Sequence, residues 1–102
     1  MTEQKVDLNL FFPTPVWASI INNYKHVNQK IFSYIDELKT NDPEGVRRSN
    51  FKGWHSKDFE LNNENVIIFV NAISTKLNKA LIDMNWDLKN QTVKITSMWS
   101  II

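Results

Sequence analysis

The sequence predicts an α+β domain, on three observations: two stretches with apolar residues at three-and-four spacing, short apolar or alternating segments around them, and proline or glycine where the pattern changes. The first segment, Leu8-Asn-Leu-Phe-Phe12, reads as a strand over 8–12 that stops at Pro13-Thr-Pro15. Neither proline can donate to a ladder, and each pushes its predecessor into extended backbone. Residues 16–21 continue extended, and Asn22 or Asn23 can cap a helix.

That helix is predicted over about 23–40, because Val27, Ile31, Tyr34, Ile35 and Leu38 lie on one helical stripe. It ends in Thr40-Asn-Asp-Pro-Glu-Gly45, where Pro43 cannot continue a helix and Gly45 supplies turn freedom. The stretch 51–59 reads as a second strand. A longer helix over about 63–84 places Val66, Phe69, Val70, Ile73, Leu77, Ala80, Leu81 and Met84 on its expected buried face. Residues 92–101 alternate in strand fashion, with Val93, Ile95, Ser97, Trp99 and Ile101 on one side. That segment reaches Ile102 with no turn, charge or proline to blunt its edge, so a fold that continues past it is expected.

A length of 102 residues with 42% apolar side chains and no repeat or low-complexity tract fits one folding unit, 1–102. The absence of cysteine excludes disulfides, thiolate metal sites and cysteine nucleophiles. A formal charge of +1 without blocks of like charge is not the footprint of a dedicated nucleic-acid or membrane-surface binder. The longest apolar run, Val66–Val70, is far short of the roughly 20 residues a membrane span needs, and the polar start is unlike a signal peptide. The expectation is a soluble, cytoplasmic protein with no membrane partner.

Four motifs occur in order: Phe12-Pro-Thr-Pro-Val-Trp17, Ser49-Asn-Phe-Lys-Gly-Trp-His-Ser56, Met84-Asn-Trp86 and Ile95-Thr-Ser-Met-Trp-Ser-Ile-Ile102. Together they span nearly the whole chain. The pattern resembles a family of 2-oxoglutarate/Fe(II)-dependent oxygenases found widely in marine bacteria and phages. The resemblance implies a double-stranded β-helix, a jelly-roll-like barrel, with N-terminal helices packed outside its larger sheet and residues 92–101 as a lead-in strand. It also implies that the metal-binding histidines, the accompanying carboxylate and the basic residue that anchors 2-oxoglutarate lie beyond the strand ending at Ile102. On that reading the chain is the N-terminal portion of a dioxygenase, about half of a barrel domain and truncated before the catalytic ligands. Fe(II) and 2-oxoglutarate belong to full-length relatives, and neither is expected on this chain alone.

The residues themselves point the same way about metal. Oxidative decarboxylation of 2-oxoglutarate needs Fe(II) held by three facial ligands with open positions beside them. The chain has two histidines, His26 and His55, and on an extended segment His55 and Asp58 point to opposite faces. No catalytic residue is assigned. The candidate pocket-lining or motif residues are Asn50, Gly53, Trp54, His55, Ser56 and Trp99. Trp54 reads first as a core anchor and His55 as a hydrogen-bonded structural side chain, since buried aromatics and satisfied histidines are commoner than sites. Trp99 reads either as lining a cavity or as core, since it shares parity with Val93, Ile95 and Ile101.

Arg47, Arg48, Lys52 and Lys57, interleaved with Phe51 and Trp54, superficially suit single-stranded nucleic acid. Asp42, Glu44, Asp58 and Glu60 nearly cancel that charge, and nucleic acid is not the expected partner. The alternative function is an interaction module that pairs through its exposed C-terminal strand with a partner or with a second copy, as a homo-oligomer.

Overall fold

The computed structural model describes residues 6–47 and 52–102. Two helices organise it, α1 (Tyr24–Asn41) and α2 (Glu64–Asp83). In α1 the stripe Val27, Ile31, Tyr34 and Leu38 is buried, as three-and-four spacing demands of a helix with one covered face. Asn23 occupies the cap position of α1 without a side-chain cap bond. The start of α2 is better made, because Asn63 Oδ1 accepts the Asn65 N–H at 2.9 Å and Glu64 stands in the first turn.

At the far end of α2, Asn85 adopts φ 64°. Its N–H donates to the Ile82 carbonyl and the Trp86 N–H to the Leu81 carbonyl, a Schellman closure that satisfies the last carbonyls of the helix. Asparagine tolerates this left-handed position because its short polar side chain carries little steric cost there.

α1 and α2 pack together, and the connection between them supplies the rest of the core. Ile31, Tyr34, Leu38, Trp54, Phe59 and Val66 form its centre, with Ile35, Leu61, Phe69, Val70 and Met98 packed around them. The Tyr34 and Phe59 rings meet edge to face, 5.2 Å between centroids, and the Tyr34 hydroxyl accepts the Glu60 N–H at 2.9 Å. Only Val66 of the α2 stripe is fully buried; Ala80 and Leu81 are half-buried, and Leu77 and Met84 are 38% and 51% exposed, so the C-terminal half of that face is only partly covered. The expectation of a continuous buried face along 63–84 is corrected accordingly.

The α+β expectation is overturned. No β-strand forms among the described residues, and with it go the expected first strands of a double-stranded β-helix; what folds is a small α domain with extended connections. The reasons are local. Residues 8–12 meet no partner segment, every side chain there is exposed, and Phe12 at φ 55° turns the chain immediately before Pro13. Residues 52–59 and 98–102 do run antiparallel, but the only bridge among the described residues is His55 with Ile101. Ser56 donates to the Ser100 carbonyl, whereas the next bond to the C-terminal segment comes from Phe59 to Met98, one residue out of register. That extra residue ends the ladder. Residues 92–97 carry no ladder at all.

Residues 6–20 form an exposed arm. It touches the body where Trp17 Nε1 donates to Asp83 Oδ2 at 3.1 Å, beside the Lys79–Asp83 ion pair of 2.8 Å. The molecule measures 74 × 38 × 28 Å with a radius of gyration of 20.0 Å. A compact chain of 100 residues has about 13 Å. Neither helix is long and apolar enough to cross a membrane.

Candidate functional site

The motif residues gather where the 52–59 connection meets the C-terminal segment. Trp54 and Ile102 exchange both main-chain hydrogen bonds, 2.7 and 2.8 Å, and the Ser56 N–H donates to the Ser100 carbonyl at 2.9 Å. Between them His55 and Ile101 stand opposite each other as the pair without mutual hydrogen bonds. Side chains of paired extended segments alternate, so His55, Ile101 and the diagonal neighbour Trp99 share one face. The His55 and Trp99 rings stack there, centroids 5.9 Å apart and planes 12° from parallel.

Trp54 lies on the other face, in the core at 7% exposure. Its Nε1 donates to the Asp42 carbonyl at 2.9 Å, and Lys39 Nζ lies 6.0 Å from its ring centroid. The turn after α1 closes over it. Gly45 holds φ 70°, and a Cβ there would collide with the His55 carbonyl and lie 2.9 Å from Trp54 Cδ1 and Nε1. Glycine is required by both conformation and space. Val46 N–H then bonds the His55 carbonyl at 2.7 Å.

His55 Nδ1 lies 2.7 Å from the Ser56 carbonyl. A carbonyl oxygen only accepts, so Nδ1 carries the proton and the tautomer is set by this bond. With that carbonyl occupied, the Ser100 N–H is met at 2.9 Å by Ser56 Oγ, which itself donates to the Lys57 carbonyl at 2.8 Å. Ser56 is fully buried and makes both bonds, while the buried Ser100 hydroxyl has no partner among the described residues. Gly53 sits where a Cβ would come within 3.1 Å of the Ile102 carbonyl, so the terminal segment approaches the backbone closely at this point. Of the candidate residues, Gly53, Trp54, His55, Ser56 and Trp99 thus converge; Asn50 lies outside the described residues, as do Arg48 and Phe51 of the basic stretch. Trp54, wedged in the core, offers no face on which a base could stack.

The side chains present do not fit Fe(II). His26 is exposed on α1, Asp58 is exposed, and His55 is buried with Nδ1 committed to a carbonyl. Among the described residues no three histidine, aspartate or glutamate side chains are grouped to share an ion, where a facial site needs three.

One feature escaped the sequence pattern. A groove of about 310 Å³ runs between α2 and residues 93–95, walled mainly by Leu61, Ile67, Val70, Leu77, Val93 and Ile95. Its signal was present in the partly covered α2 stripe, but alternation made Val93 and Ile95 read as one face of a strand. The chain matches no family model, no curated protein and no solved structure.

Proposed function

We propose that the chain is a non-catalytic supporting part of a protein of the 2-oxoglutarate/Fe(II)-dependent oxygenase type, holding neither the iron nor the cosubstrate on its own residues. The observation that supports this reading is the meeting of two distant motifs. Gly53-Trp-His-Ser56 and Met98-Trp-Ser-Ile-Ile102, separated in sequence by all of α2, are joined by main-chain bonds, and His55 of one stacks on Trp99 of the other. Two of the four motifs that resemble one family's pattern are thus joined in one structural unit.

His55 in this unit positions backbone. Its Nδ1–H holds the Ser56 carbonyl, and its ring supports Trp99. The ligands for Fe(II) and the cation for the distal carboxylate of 2-oxoglutarate have to come from further polypeptide, because such chemistry needs three facial ligands and a charge-assisted clamp.

Two measurements test the proposal. The purified chain, given Fe(II), ascorbate and 2-oxoglutarate, is expected to release no succinate above a metal-free control; turnover would overturn the non-catalytic role. The DNA downstream of codon 102 is expected to encode, in some frame, a segment bearing histidines and a carboxylate at facial-ligand spacing. A downstream sequence without them would overturn the oxygenase assignment.

A further inference from the structure

The backbone of the C-terminal segment is used on one side only. Met98, Ser100 and Ile102 direct their main-chain groups at residues 54–59: the Met98 carbonyl accepts from Phe59, Ser100 bonds Ser56 through both its groups, and Ile102 bonds Trp54 twice. In extended backbone the groups of alternate residues point the opposite way, so those of Trp99 and Ile101 face outward. Neither residue uses a main-chain group in a hydrogen bond among the described residues. Both are open to solvent, Trp99 at 51% and Ile101 at 63% exposure.

We propose that this outward edge, residues 97–102, joins two copies of the chain antiparallel about a two-fold axis. Centred on Ser100, the register sets Trp99 of each copy opposite Ile101 of the other. Each such pair exchanges two main-chain bonds, so the edge is satisfied by four N–H to carbonyl bonds. An aromatic residue facing a β-branched one is among the favourable cross-strand pairs. The same rotation places His55, Trp99 and Ile101 of both copies on one continuous face.

Two properties favour a second copy as the occupant. Residues 95–102 contain no charge, proline or glycine, so nothing in the segment repels its own image or blocks the edge as natural edges are usually blocked. A two-fold interface requires self-complementarity, and the exchange of Trp99 for Ile101 across the axis provides it.

The test is sedimentation equilibrium of the full chain over a wide concentration range. A mass of twice 12.0 kDa at the high end, reverting on dilution, is expected. Ile101→Pro removes one outward N–H and leaves the bonds of Ser100 and Ile102 to the connection in place; Ile101→Lys puts like charges across the axis. Each is expected to raise the dissociation constant at least tenfold with the far-UV circular dichroism unchanged. A monomer at every concentration, a dimer indifferent to both substitutions, or a mass that grows without limit would overturn the proposal. Amide exchange in the unmodified chain gives an independent readout should a variant misfold. The Trp99 and Ile101 amides are expected to gain protection with concentration, and equal exchange in dilute and concentrated samples would count decisively against the pairing.

Discussion

His55 and Trp99 lie ring over ring, 5.9 Å apart and nearly parallel, although the whole of α2 separates them in sequence. The stack couples the two motifs, and that coupling is measurable. In urea unfolding followed by circular dichroism, His55→Ala and Trp99→Ala each lower stability. The double variant falls short of their sum by the interaction energy, about 0.5–1.5 kcal/mol for an aromatic pair. Strict additivity would mean that the rings merely adjoin.

Gly45→Ala tests the turn over Trp54. The left-handed backbone costs an L-residue about 1–2 kcal/mol and overpacking about 1–3, so a loss of roughly 2–5 kcal/mol is expected. The emission of Trp54 should shift to the red as the turn lifts. An alanine variant of unchanged stability would contradict the close approach of Gly45 to the His55 carbonyl.

The two serines of the ladder should respond in opposite directions. Ser56→Ala strips the partner from the part-buried Ser100 N–H, at a cost of about 1 kcal/mol. Ser100→Ala removes a buried hydroxyl that bonds nothing among the described residues, and is expected to leave stability unchanged or raise it by up to about 1 kcal/mol. Equal losses at both sites would refute the assigned roles.

Acid should release the arm. The hydrogen bond from Lys79, then the one from Trp17, holds the Asp83 carboxyl below its ordinary 3.8. A carboxylate lowered in the folded state contributes stability that is complete above the ordinary value and is lost as pH falls through the lowered one. The Trp17 indole N–H resonance is therefore expected to move toward its solvent-exposed position only under distinctly acidic conditions. In Asp83→Asn it should lose that dependence.

Helical period made α1 and α2 legible, since Val27, Ile31, Tyr34 and Leu38 declare a face without reference to anything distant. Strands are not legible in the same way, because alternation states only which side chains share a face. Whether a ladder forms depends on a second segment in register, and here an extra residue before Phe59 ends it after one bridge. Positive φ at Phe12 had no warning in its side chain. Within the site, Trp54 and His55 stand out by type, but nothing in the residue order aims the His55 Nδ1–H at the carbonyl of its own neighbour, or leaves the Ser100 hydroxyl without a partner among the described residues. Those outcomes depend on which atoms the C-terminal segment brings alongside.

The bonds between Trp54 and Ile102 also close a long loop around α2, and loop closure carries an entropic cost that grows with the logarithm of its length. The chain between the paired residues contains all of α2, so each bond of the ladder is made against that cost and ties the terminal segment to the connection that precedes the helix.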